Sequence, residues 1–452
     1  MATQEVELTL SPTALLTRCA DLPGVFVLDG GSRRSWSCGH AVLGYRPRAT
    51  LRIDADGAAC MNDGAPHAWY GDPFALLDRF CAQWAPAAVA CPEGAAVIAA
   101  LSYDLRHWVE RRPALRHIDH AAPILHAGFY DWLLWYAYDA QRFRLVSPRP
   151  AGELSAIAAD IEARAAAPFL PARPMTAPQV RANFTNAEYR AAVDAALAYI
   201  AAGDIYQVNL AQRFAVHSPP PPAAVFSTMQ QHPMPFGAYV DVGDFTLVSN
   251  SPECLLAVHG DRLSTCPIKG TRPRGTDVRS DRSRIDELRC CTKERAEHLM
   301  IVDLERNDLG RICRAGSVRV EELARIETFP SLHHLVSTIS GRRRPGATLG
   351  DVLRVVFPGG SITGTPKVRA MEIIDELEPV PRGFYTGAIG FIGFDNHAVF
   401  NLAIRTAIAA ANRIAYHAGG GIVADSMPDR EYDETLLKAQ PFFAAVSNGA
   451  VR

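Results

Sequence analysis

The chain reads as an α+β protein dominated by antiparallel sheets. Strand-like runs at Tyr206–Phe214, Phe236–Val242, Phe245–Ser249 and Cys254–His259 come in succession, which favours antiparallel pairing over a doubly wound parallel sheet. Helical periodicity is gathered into other segments, about 282–305, 348–357, 365–377 and 428–446. With 452 residues, the chain has room for two or three domains or one large intertwined unit.

In chain order, β-like alternation surrounds Val25-Phe26-Val27-Leu28 and returns from Gly128 to Tyr138. A loop rich in proline and alanine is expected at Ala85–Gly94. Four prolines between Ala165 and Asn186 mark a connection. It divides the chain into an amino-terminal region (1–165), the connection (166–184) and a second part (185–445). The second part opens with a helix: Thr185 and Glu188 suit a capping box, and Tyr189, Val193, Ala196, Leu197 and Ile200 share a face. Gly203 suits its C-terminal stop. After the run Pro219–Pro222, taken as a loop, come the strands listed above, and later ones are expected at Gly387–Phe394 and Ala398–Ala409. No internal repeat occurs.

Composition narrows the class. Apolar content of 48% and charged content of 21% suit a soluble globular protein, and a net charge of −2 advertises neither nucleic acid nor an anionic membrane. Apolar runs such as Ala95–Leu101 are too short to span a bilayer, and the start MATQEVELTL lacks a signal core, so a cytoplasmic location is expected. The ten cysteines show no zinc spacing and no C-x-x-C pair, which suits reduced thiols. Cys38, near His40, is read as an ordinary thiol, since catalytic Cys/His pairs are assembled in space.

Several groups could carry chemistry. Lys269 sits between the apolar pair Pro267-Ile268 and the glycine- and arginine-rich run Gly270–Gly275. An amine in such surroundings can be neutral, and nucleophilic, near neutral pH; a solvated strand-end lysine is the plain alternative. Glu294 and Glu297 share one helix face, and Glu431, Glu434 and Lys438 share another. Two such pairs could hold a hard divalent cation, Mg2+ fitting best, or be solvated faces. The run Phe357–Lys367 enters a helix through glycines, with Thr365 as a possible cap and Pro366 at the first helical position. It could expose N–H groups to an anion, but it lacks the P-loop spacing. Gly419, Gly420 and Gly421 allow close backbone approach or a flexible turn. Arg405, among apolar strand neighbours, calls for an acidic partner or a bound carboxylate. Tyr385 and His334 could line a pocket or simply fill a core.

Together these stretches resemble the chorismate-utilising enzymes. The segments are GDIYQVNLAQRF (203–214), SPECLL (251–256), PIKGTRPRG (267–275), KERAEHLMIVDLERNDLGR (293–311), HHLVS (333–337), FPGGSITGTPKVRAMEII (357–374), YTGAIGF (385–391), NLAIRT (401–406) and HAGGGIVADSMPDREYDETLLKA (417–439). They cover most of 185–440 in family order, whereas the amino-terminal region matches weakly, around Leu101–Leu105. The resemblance implies the fold of anthranilate synthase component I, large antiparallel sheets packed as a sandwich and flanked by helices. PIKGT and GDIYQVNLAQRF look like the aminodeoxychorismate synthases, whereas anthranilate synthases usually carry alanine at position 269. Gln207 stands where isochorismate and salicylate synthases carry a water-activating lysine, and an amide cannot serve as a general base.

For the site, the resemblance implies Mg2+ on Glu297 and Glu434, with Glu294 and Glu431 assisting. Gly270 and Thr271 would meet the ring carboxylate of chorismate. Tyr385, Arg405, Gly419–Gly421 and Lys438 would hold the enolpyruvyl carboxylate, with His334 and Ser361 also on the substrate. Lys269 would be the nucleophile and Glu253 the general acid. No glutaminase setting surrounds any cysteine, so ammonia is expected from a separate glutamine amidotransferase subunit in a heterodimer. Anthranilate synthase component I is the alternative, followed by the isochorismate and salicylate synthases.

Overall fold

The computed structural model describes residues 2–31, 36, 39–110, 122–167 and 179–448. Cys38 and residues 168–178 of the proline-rich connection lie outside the described residues. Two twelve-stranded sheets carry the fold, and the neighbouring strands in both pair antiparallel.

Each sheet takes strands from both ends of the sequence. In the first, Phe26–Leu28 pairs with Phe236–Asp241, with Leu28 opposite Ala238. That sheet continues through Thr246–Ser251, Thr406–Ala410 and Arg413–Ile422 to Gln207–His217. In the second, Ala96–Leu101 pairs with Ala388–Gly393, with Leu101 opposite Ala388. It runs on through His397–Leu402, Cys254–His259 and Arg262–Cys266 to Leu332–Arg342 and Ile268–Pro273. Regions 1–165 and 185–445 are therefore joined in two continuous ladders.

The sheets face each other across a shared apolar layer. Phe26, Leu28, Ala238 and Leu247 of the first meet Ile98, Ala100, Ile389 and Val399 of the second, the interleaving expected of a sandwich. Helices cover the outer faces. Pro73–Ala88, Thr292–Ile312 and Leu349–Val356 pack on one side, and Pro12–Cys19, Ala151–Ala166, Pro222–Met229 and Pro428–Asn448 on the other. The α+β sandwich is thus observed. So is the capping box of helix Asn186–Ala201, in which the Glu188 N–H donates to Thr185 Oγ1 at 3.3 Å. Gly203 closes it at φ 82°.

Four local expectations are corrected. The helix about 282–305 is two helices, Val278–Cys290 and Thr292–Ile312, because Cys291 is extended between them. The loop expected at Ala85–Gly94 is partly helix: Pro73–Ala88 runs through Pro86, and its buried face of Phe74, Leu77 and Phe80 offsets the lost hydrogen bond. Thr365 does not cap the next helix, Lys367–Leu377; it pairs with Gln207 in a short ladder and leaves Pro366 at the N-cap. The strand expected at Ala398–Ala409 breaks at Arg405, whose φ of 51° lets the chain leave the second sheet and enter the first.

Candidate active site

The two sheets meet at the site, where Lys269 of one lies against Gly421 of the other. Lys269 lies on strand Ile268–Pro273, opposite Leu335. The ladder shifts register between Lys269 and Thr271, and Gly270 takes φ 77° at the irregularity. A Cβ at Gly270 would lie 2.7 Å from Glu294 Oε2, so only glycine lets the carboxylate so close. Lys269 keeps some surface, but its ammonium lies against bare backbone: a Cβ at Gly421 would be 2.8 Å from Nζ. Burial holds the Lys269 pKa below the ordinary value, opposed by Glu297, Glu434 and Glu253 and reinforced by Lys438.

The glycine triplet is not a loop. Gly419, Gly420 and Gly421 lie inside strand Arg413–Ile422, opposite Ala211, Leu210 and Asn209. The strand's missing side chains make room for the site: a Cβ at Gly420 would be 2.9 Å from Glu431 Oε2 and 3.5 Å from Glu434 Oε1. Lys438 Nζ donates to the Gly419 carbonyl at 2.8 Å and pairs with Glu434 at 2.7 Å. Glu434 and Lys438 are nearly half exposed, so they form the open rim.

Glu253 sits at the closed end, 4% exposed, just before strand Cys254–His259. Burial raises its pKa to about 7, against the pull of the Ser361 hydroxyl, the Ile268 N–H and the Lys269 charge. Ser361 Oγ donates to Glu253 Oε1 at 2.6 Å, so its hydroxyl is committed to the acid. The glycine loop around it is buried: Gly359 lies near Leu255 and Leu402, Gly360 near Leu304, and the Thr363 N–H donates to the Gly360 carbonyl.

At the other end, His334 is buried with Nδ1 3.0 Å from Thr271 Oγ1 and 3.3 Å from the Gly270 carbonyl, while Nε2 has no partner. Burial, with the nearby Arg405 charge, lowers its pKa to about 3, so the ring is neutral. No carboxylate pairs with Arg405 among the described residues, and burial holds its pKa down. An unpaired guanidinium in such a place favours a carboxylate ligand. Tyr385 stacks on His417 with centroids 5.0 Å apart, and burial raises its pKa.

The four carboxylates come from two helices, Thr292–Ile312 and Pro428–Asn448. Glu294 Oε1 already accepts from Arg272 at 2.7 Å, but Oε2 is buried without a partner. Glu431 accepts from Ser426 at 2.6 Å. Burial raises the pKa of Glu297 and of Glu431. Burial pushes Glu434 the same way, but Lys438, Lys269 and Lys293 prevail and hold it below the ordinary value. Among the described residues, no three His, Cys, Asp or Glu side chains gather into a ready metal cluster. The oxygen donors and the orphaned Glu294 Oε2 would nevertheless suit a hard cation.

Two contributors are not legible as site residues from their own segments. Arg272 bridges Glu294 and Glu287 at 2.7 Å each, setting the Glu294 carboxylate. Arg382, 2% exposed, pairs with Glu378 at 2.6 Å and donates to the Asn209 and Ile362 carbonyls, fixing the backbone behind Tyr385. Gln207, flagged by its motif, is fully buried with both amide atoms unpartnered, and its Nε2 lies 2.9 Å from a Cβ placed at Gly421.

Comparison with known proteins agrees with this geometry. A family profile described as chorismate binding enzyme matches residues 32–444. The chain is 39% identical over 354 residues to aminodeoxychorismate synthase component 1 of Bacillus subtilis (strain 168), covering 75% of this chain and 74% of that protein. It is 37% identical over 441 residues to anthranilate synthase component 1 of Thermus thermophilus, covering 96% and 94%. The crystal structure of anthranilate synthase component I from Streptococcus pneumoniae superposes with a TM-score of 0.79 at 26% identity, covering 96% of this chain and 97% of that one. Together with the sandwich fold, these matches establish that the chain belongs to the chorismate-binding enzyme family.

Proposed function

We propose that the chain is the synthase component of an aminodeoxychorismate synthase, converting chorismate and ammonia into 4-amino-4-deoxychorismate and water. The observation that carries the reading is the pairing of a buried amine of lowered pKa, Lys269, with a buried acid whose pKa is about 7, Glu253, each near enough for its charge to act on the other. A lowered amine pKa suits a nucleophile, and an acid near 7 suits proton donation at neutral pH. Lys269 attacks ring carbon 2, the ring double bond shifts, and the hydroxyl on carbon 4 leaves as water with the Glu253 proton. Ammonia then bonds to carbon 4, the double bond returns, and the Lys269 amine is released. Splitting the substitution in two lowers the barrier of each step.

Arg405 and Lys438 supply charge for the enolpyruvyl carboxylate, with Tyr385 and the bare strand at Gly419–Gly421 shaping its seat. Gly270, Thr271 and the neutral His334 shape the ring-carboxylate end. Mg2+ held by Glu297 and Glu434, with Glu294 and Glu431 beside them, would neutralise and orient the ring carboxylate. Ammonia comes from a separate glutamine amidotransferase subunit, as the "component 1" names of the relatives suggest for those proteins. The nine described cysteines are free thiols, which suits a cytoplasmic setting. Among the described residues, no helix is long and apolar enough to cross a membrane.

Anthranilate synthase component 1 is the second reading, favoured by the fuller coverage of the Thermus thermophilus relative. Product identification decides between them. The purified chain is incubated with chorismate, Mg2+ and ammonium, with and without a lyase that releases 4-aminobenzoate. The expected product is 4-amino-4-deoxychorismate; anthranilate would replace the proposal with the second reading. Intact-mass analysis should show a chorismate-derived adduct that Lys269→Ala abolishes, with ammonia-dependent turnover falling about 100-fold or more. Full turnover in the alanine variant would remove the nucleophile role.

A further inference from the structure

A pair of thiols joins the segments that carry Glu253 and Lys269. Cys254 directly follows Glu253, and Cys266 precedes the Pro267-Ile268-Lys269 run. The two are opposite each other on antiparallel strands Cys254–His259 and Arg262–Cys266, so their side chains leave the same face. Both indeed pack on the apolar layer between the sheets. Opposed residues in such a pair have Cα atoms about 4.5–5.5 Å apart, inside the range of about 4.4–6.8 Å that a disulfide spans. Both cysteines are free thiols.

The two sulfurs differ in setting. Cys254 is 7% exposed and faces Cys266 across the ladder. Cys266 keeps some surface and lies 3.9 Å from Thr338 Oγ1. The hydrogen bond from Cys254 favours the Cys266 thiolate, helped by Thr338 and Arg325, while the same bond and burial push Cys254 up. Cys266 is therefore the better nucleophile, and Cys254 stands opposite it.

We propose that Cys254 and Cys266 form a peroxide-sensitive dithiol, closed by oxidation into a cross-strand disulfide that lowers turnover at the adjoining site. The Cys266 thiolate attacks one oxygen of hydrogen peroxide, the O–O bond breaks, and the departing hydroxide is protonated to water, leaving a sulfenic acid. The Cys254 sulfur then bonds to the Cys266 sulfur and expels the sulfenic oxygen, which leaves as water with the Cys254 proton. Two thiols and one peroxide thus give one disulfide and two waters. Closure brings the two sulfurs to about 2.05 Å. The same strand ends hold the contact between the Ile268 N–H and the Glu253 carboxylate. The contraction therefore shifts the acid relative to the amine. The effect on turnover rests on the function proposed above; the closure itself does not.

The full reduced chain is treated with one equivalent of hydrogen peroxide and digested without reduction. The expected result is a loss of two hydrogens by intact mass and a linked pair of peptides containing Cys254 and Cys266. Ammonia-dependent turnover should fall about tenfold or more and return with dithiothreitol. Cys254→Ser and Cys266→Ser should keep turnover when reduced and resist peroxide; alanine at either position gives the same reading without a buried hydroxyl. Sulfinic acid alone, or linkage only through the exposed Cys60 or Cys290, would overturn the proposal, as would a closed disulfide with unchanged turnover. If the reduced chain makes no aminated product, the proposed function fails, while the peptide map still decides whether the dithiol closes.

Discussion

Glu253 and Lys269 reach opposite protonation tendencies by the same cause. Burial disfavours charge, so the carboxyl pKa rises to about 7 and the amine pKa falls. The sign gives a pH profile. The proposed acid must hold its proton, so kcat/KM should decline as pH rises above about 7. The Ser361 hydroxyl favours the Glu253 carboxylate. Ser361→Ala should therefore raise the pKa and move the alkaline limb upward by about one pH unit. A kcat/KM profile measured on both proteins checks this; an unmoved limb would separate Ser361 from the acid.

The decisive element is strand Arg413–Ile422. An ordinary strand would fill the pocket with side chains, but Gly419–Gly421 leaves backbone alone beside Lys269, Glu431 and Gln207. A methyl at Gly421 meets Lys269 Nζ at 2.8 Å and Gln207 Nε2 at 2.9 Å. Both are ends of flexible side chains and can move aside, so the fold should survive while the amine is displaced. Gly421→Ala is expected to keep the thermal unfolding midpoint within a few degrees and lose about 100-fold in turnover. Equal loss of stability and activity would assign the glycine to the fold instead. The break at Arg405 acts at the same scale: it moves the chain between sheets and leaves its guanidinium unpaired.

Across the whole molecule, the two sheets are each completed by the amino-terminal region. Residues 185–452 expressed alone should lack a cooperative unfolding transition, because Phe236–Asp241 loses Phe26–Leu28 and Ala388–Gly393 loses Ala96–Leu101. A sharp calorimetric transition from that fragment would show that it folds alone. The buried Arg382–Glu378 pair ties the Asn209 and Ile362 backbones together behind the site. Glu378→Ala leaves a buried charge unpaired and should cost about 3–5 kcal/mol, read from chemical denaturation.

The amino-acid sequence by itself determined the α+β class, the opening helix with its capping box and glycine stop, and the main chemical groups. Those features are local: hydrophobic period, cap chemistry and short motifs act over a few neighbours. It also marked Gln207 and Arg405 as residues in need of an explanation. Tertiary structure alone decided that Ser361 serves Glu253, that Gly419–Gly421 is strand and not loop, and that Arg272 holds Glu294. It alone showed that regions 1–165 and 185–445 share both sheets and that Cys254 faces Cys266. Each of these depends on strand order and register between distant segments, and a one-residue change of register turns every side chain to the other face.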